Sequence, residues 1–100
     1  MSEVPKIVVT PPGPRSQELM KLRNKYVSKA VYNVNPIFIA EAEGPILKDV
    51  DGNVYIDFAT GISTVNLGHR HPEVISAVKE QIDKYLHLCF HVTPYEPYVK

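Results

Sequence analysis

Apolar positions in this chain recur at two periods, and the switches between them divide it into elements. Leu19, Leu22, Tyr26 and Ala30 are spaced as one helix face, with Met20, Val27 and Val31 beside them. They predict a helix over 16–32, for which Ser16 offers an N-cap. Lys21, Arg23, Lys25 and Lys29 fill much of the remainder and read as a solvated face rather than a basic patch. Asn35-Pro36 ends the helix, because a residue before proline avoids the α region. Ile37 to Ala42 then reads as a strand closed by Gly44-Pro45. Residues 46–50 and 54–58 flank Asp51-Gly52-Asn53, whose composition suits a tight hairpin. Ile46 and Val50 bracket Lys48, and Val54, Ile56 and Phe58 bracket Tyr55 and Asp57, which predicts a sheet apolar on one side.

Residues 59–70 read as a loop containing Gly61 and Gly68. His71-Pro72-Glu73 opens a second helix, since proline is tolerated in the first turn and Glu73 suits the positive end of the dipole. Val74, Val78, Ile82, Tyr85 and Leu86 form its apolar stripe, and Glu80 and Lys84 pair four residues apart. Before all this, Pro5, Pro11, Pro12 and Pro14 hold residues 1–15 as an extended arm, with a short strand at Ile7 to Thr10. After it, Phe90, Tyr95 and Tyr98 lie in an irregular tail. Two readings of them stay open: contacts awaiting a partner, or packing on the hairpin's apolar face.

Composition narrows the class. One hundred residues with 44% hydrophobic content suit one small domain or part of a larger one. A formal net charge of zero favours neither nucleic acid nor an anionic membrane as partner. No apolar run is long enough to span a bilayer, and the N-terminus lacks a secretory pattern. Cys89 is the only cysteine, so no internal disulfide forms and the expected setting is cytoplasmic.

Three kinds of chemistry compete for the polar residues. The histidines and the cysteine fall into two clusters, His69/His71 and His87/Cys89/His91, which could present metal ligands, though not at zinc-finger spacing. Asp57, Ser63 and His69 hold the residue types of a hydrolase triad around one loop, but no nucleophile elbow accompanies them. Gly61 and Gly68 match neither phosphate-binding loop pattern and read as backbone devices.

The stretch GPILKDVDGNVYIDFATGISTVNLGHRHPEVISAVKEQ, Gly44 to Gln81, resembles the N-terminal segment of class III pyridoxal-phosphate aminotransferases. Asp49, Asp51 and Gly52, then Tyr55 to Phe58, Gly61-Ile62, Asn66, Gly68, His69, His71 and Pro72 carry the match. Pro94-Tyr95-Glu96 and Tyr98-Val99 extend it, and the proline-rich arm is most similar to archaeal 4-aminobutyrate-type members. The resemblance implies an α+β fragment: the N-terminal small-domain segment of a fold type I transferase, built as arm, helix, antiparallel meander and helix. Residues 16–100 would form part of the small domain and active-site rim, with the cofactor-binding large domain beyond Lys100.

It further implies pyridoxal 5'-phosphate as cofactor, a homodimer, and amino transfer from an amine donor, 4-aminobutyrate favoured, to a 2-oxo acid. Ile62, Phe90 and His91 fall at substrate-binding positions, with Ile62 expected to set the width of the donor channel. The resemblance assigns no catalytic, cofactor-binding or metal residue, and the chain alone is expected to be inactive. The alternatives are an ornithine or acetylornithine aminotransferase, an amino-acid racemase of the same fold, or a non-catalytic metal-binding or docking module.

Overall fold

A computed structural model describes residues 4–100. The chain divides after Arg70 into two compact units. The first holds helix α1 (Pro14–Tyr26), strands β1 (Ile39–Glu43), β2 (Ile46–Asp49) and β3 (Val54–Ile56), and a single helical turn α2 (Thr60–Ser63). The second holds helix α3 (Pro72–Ile82) and a 3₁₀ turn, Glu96–Tyr98. The three strands form one antiparallel sheet in the order β1-β2-β3. No helix among the described residues is long and apolar enough to cross a membrane.

The centre of the first unit is polar. Ser16, Asp49 and Asn53 are buried at 0%, 1% and 0% exposure, whereas Val54 is the single buried hydrophobic residue among those described. Buried polar groups persist only when hydrogen-bonded, and these are. The Asp49 carboxylate accepts from the amides of Asp51 and Asn53, the Asn53 side-chain amide and the Tyr55 hydroxyl, at 2.8–3.0 Å. Asn53 Oδ1 accepts in turn from the amides of Val8 and Val9 at 2.8 and 3.0 Å. The hairpin turn therefore holds the arm as well as itself. Within the arm, Lys6 bridges Val54 through two backbone bonds, and no strand forms at Ile7 to Thr10. The first three arm residues lie outside the described residues.

Asp51 anchors α1. Its carboxylate accepts the amides of Arg15 and Ser16 at 2.8 and 3.0 Å, satisfying orphan donors at the helix N-terminus and placing an anion at the positive end of its dipole. The expected N-cap role of Ser16 is corrected. The helix starts two residues earlier, after Gly13, and the capping acceptor comes from the hairpin turn. Ser16 instead uses its hydroxyl to accept the Phe38 amide at 3.2 Å. Gly13 is required by this approach, because a Cβ there would stand 2.4 Å from the Asp51 carboxyl carbon.

The helix also ends at Tyr26, not near residue 32, because Val27 turns extended and nothing buries the apolar positions beyond it. Tyr26 is 73% exposed and Tyr32 83%, so helical spacing alone did not sustain the last turn.

The one-sided apolar sheet is corrected too. Ile46 pairs with Ile56 and Lys48 with Val54, so Lys48 stands among the apolar residues on their face and reaches Glu41 across β1 at 3.9 Å. Phe58, expected to continue that face, lies beyond β3 and is 90% exposed.

In the second unit, α3 starts at Pro72 as predicted, and Lys84 Nζ meets Glu80 at 3.0 Å. Tyr85 and Leu86, placed on its stripe from sequence, lie beyond the helix end at Ile82. Tyr85, Phe90, Tyr95 and Tyr98 pack on one another instead, with ring centroids 4.3–6.2 Å apart. Such pairs contribute about 0.5–1.5 kcal/mol each. Their partner is internal to the tail.

Two expectations follow. Asn53→Ala removes the acceptor of the Val8 and Val9 amides and a donor of the buried Asp49 carboxylate, and loosens the arm beyond Lys6. It should cost roughly 1–3 kcal/mol in chemical denaturation and open residues 6–12 to limited proteolysis, whereas an unchanged cleavage pattern would remove Asn53 from the anchor. The second concerns acid. Burial pushes the Asp49 carboxyl up, but the bonds from Tyr55, Asn53 and Asp51 together hold it below its ordinary 3.8. Burial likewise opposes, and the Ser16 and Arg15 amides overcome, at Asp51. With folded values depressed, the stabilisation is complete above pH 3.8 and is lost as pH falls below it through the folded values. Asp49→Asn should lower the neutral plateau and flatten that acid slope in unfolding measured against pH.

Candidate functional site

The loop between Asp57 and His69 carries the longest run of positive-φ residues among the described residues. Thr60, Gly61, Ile62 and Ser63 all have φ between 49° and 62°, so α2 is one turn of left-handed helix. The Ser63 amide closes onto the Ala59 carbonyl at 3.0 Å and the Thr64 amide onto Thr60 at 2.8 Å. For L-residues this hand costs roughly 1–2 kcal/mol per residue. At β-branched Thr60 and Ile62 it is a true outlier, of the kind that persists only where its surroundings over-determine it. The Thr64 hydroxyl fixes the far end by donating to the carbonyls of Gly61 and Thr60 at 2.9 and 3.2 Å.

The turn stands on a clamped base. The Asp57 amide donates to Pro45 O at 2.8 Å, which ties the end of β3 to the start of β2. Asp57 Oδ1 accepts the amides of Ala59 and Thr60 at 3.1 and 2.9 Å, and its Oδ2 accepts His69 Nε2–H at 2.6 Å. Those bonds, the one from His69 foremost, hold the Asp57 carboxyl below the usual carboxylate range. His69 is itself fixed through its main chain, exchanging two 2.8 Å bonds with Gly44. Gly68 makes the approach possible, because its φ is +84° and a Cβ would lie 3.0 Å from the Gly44 backbone.

Ile62 is thus presented at 90% exposure from a fixed turn, flanked in sequence by Phe58 at 90% and Leu67 at 69%. Phe90 and His91 lie in the second unit, Phe90 stacked against Tyr98 at 4.3 Å and His91 exposed. Ile62 and the Phe90–His91 pair are therefore placed each within its own unit.

Of the residues weighed for a triad, Asp57 and His69 do meet, but Ser63 makes no hydrogen bond to His69 among the described residues. Of the metal clusters, His69 commits Nε2 to Asp57, and no group of three or more potential ligands is placed to hold an ion among the described residues. The roles of Asp49, Asn53 and the Asp57–His69 pair were not read from sequence. The available signal was Asx residues beside turns, which hydrogen-bond backbone two or more residues on.

Comparison with known proteins identifies the family. Residues 26–100, three-quarters of the chain, match the family model for Aminotransferase class-III. The chain is 45% identical over 94 residues to 4-aminobutyrate aminotransferase of Mycobacterium tuberculosis, covering 94% of the chain and 21% of that protein. It is 45% identical over 85 residues to 5-aminovalerate aminotransferase of Pseudomonas aeruginosa, covering 85% and 20%. Among solved structures, Plasmodium falciparum ornithine delta-aminotransferase superposes with a TM-score of 0.67 at 30% identity, over 74% of this chain and 19% of that one. The chain spans about a fifth of the length of the curated relatives it matches. Its helices and three-stranded antiparallel sheet are an α+β segment of their fold, and the chain belongs to the class-III aminotransferase family.

Proposed function

We propose that residues 16–100 form part of the small domain and active-site rim of a homodimeric transaminase. It would move an amino group from an ω-amino donor, 4-aminobutyrate favoured, to a 2-oxo acid. The observation that carries this reading is the left-handed turn that holds Ile62 out from a clamped base. Strained, over-determined backbone concentrates at ligand sites, and an exposed branched side chain on such a turn suits one wall of a substrate channel. The named relatives support the donor class, since 4-aminobutyrate, 5-aminovalerate and ornithine all end in a primary amine. Phe90 and His91 belong to the same reading, as further substrate contacts.

Class-III aminotransferases depend on pyridoxal 5'-phosphate, which supplies an electron sink for the amino transfer. The described residues do not make its site. A lysine that bonds the cofactor needs burial or a cationic neighbour to lower its pKa, and all eight lysines are exposed. The N-terminus of α1, where an anion would sit, is taken by the Asp51 carboxylate. Asp49 and Asp57 have their oxygens engaged by protein donors. In this reading the segment acts on the substrate side, with Ile62 forming part of the channel wall.

Two outcomes are expected in the full-length protein. Ile62→Ala and Ile62→Tyr should shift the ratio of kcat/KM between 4-aminobutyrate and 5-aminovalerate by about tenfold, the scale on which a pocket senses one methylene. An unmoved ratio would take Ile62 out of the channel wall, and absence of transamination by the full-length protein would overturn the reading as a whole. Ile62→Gly should raise stability by up to about 1 kcal/mol, since glycine adopts the left-handed turn without strain, while lowering donor discrimination. A loss of stability in thermal denaturation would contradict the strain argument.

A further inference from the structure

We propose that Asp57 and His69 are positioning residues for donor selection: their side-chain bond latches the left-handed turn and so fixes where Ile62 stands. The proposal rests on the reading of Ile62 as a channel wall. Among the described residues, the hydrogen bonds that tie the turn to the sheet run through this pair. Asp57 is fixed by its amide to Pro45 O, and its carboxylate, 7% exposed, holds the Ala59 and Thr60 amides on one oxygen. The other oxygen takes His69 Nε2–H, and His69 is doubly bonded to Gly44 through its main chain. The two ends of the loop, each bonded by main chain to Gly44 or Pro45, are joined directly by one side-chain contact 2.6 Å long.

The chemistry of the pair is specific. A carboxylate can accept two amides on one oxygen and an imidazole N–H on the other. An amide in its place keeps one acceptor and turns an N–H toward Nε2, so the charge-assisted bond is lost and any contact requires the other imidazole tautomer. Glutamine at 69 extends an amide N–H at similar reach and can restore the contact, whereas alanine cannot. Without the contact, only the local bonds from the Ala59 and Thr60 amides orient the Asp57 carboxylate, and Thr60, Ile62 and Ser63 leave more readily the left-handed region that their side chains disfavour.

The test uses the full-length protein with His69→Ala and His69→Gln, and Asp57→Asn carries the same test should His69→Ala fail to fold. Hydrogen exchange at the Ser63, Thr64 and Val65 amides, all bonded within the turn, should speed about tenfold in His69→Ala as the local opening becomes easier. The 4-aminobutyrate to 5-aminovalerate ratio of kcat/KM should shift about fivefold, mainly through KM, as the wall loses its place. His69→Gln should return both readouts most of the way. A fall in melting temperature with exchange and donor ratio at wild-type values would overturn the proposal and leave His69 merely structural. A ratio that responds to Ile62 substitution but not to His69→Ala brings down this proposal alone. A ratio indifferent to both brings down the channel-wall reading and this proposal with it.

Discussion

The first unit is organised by one constraint: a buried carboxylate must find donors for its oxygens, and Asp49 finds them in the hairpin, three in the turn at Asp51 and Asn53 and one at Tyr55 on β3. Removing a carboxylate from water is costly unless hydrogen bonds replace the lost solvation. The bonds from Asp51, Asn53 and Tyr55 therefore fix the turn to one conformation. That conformation points Asn53 Oδ1 at the arm and the Asp51 carboxylate at the start of α1. Arm, helix and hairpin, far apart in sequence, thus meet around one short turn.

Little apolar area is buried in the unit. Val54 alone is a buried hydrophobe among the described residues, while Ile39, Ile56, Phe58, Ile62 and Leu67 remain exposed. Turn chemistry and helix capping replace a hydrocarbon core in setting the geometry. Polar networks of this kind specify structure strongly because each member is needed by the next. They contribute less net stability than apolar burial, since each bond replaces one to water.

What was legible in the sequence follows from range. The hairpin at Asp51-Gly52-Asn53 and the start of α3 at Pro72 are local signals, read from turn residues and a proline at a helix entry, and both stand in the structure. The α1 cap was not legible because its acceptor lies 35 residues away, and Ser16 offered a plausible local substitute. The length of α1 was overread for a related reason: periodicity reports a face, and only tertiary burial makes the last turns pay. Lys48 was set apart from its apolar neighbours although a period of two keeps positions 46, 48 and 50 on one side. At the site, the family resemblance drew attention to Ile62 and Gly61 was read as a backbone device, as its φ of +62° bears out, but nothing in the sequence extended that conformation to its neighbours. Thr60 and Ile62 are residues that such a turn should exclude.

That contradiction is the more informative part of the site. β3 is bracketed by two carboxylate clamps, Asp49 before it and Asp57 after it. The first fixes the strand to arm and helix, and the second fixes the loop to the strand. A strained turn survives only on a base that cannot yield, because any compliance there would let the backbone relax toward its preferred hand. The polar centre of the unit and the strained turn at its rim are therefore parts of one design.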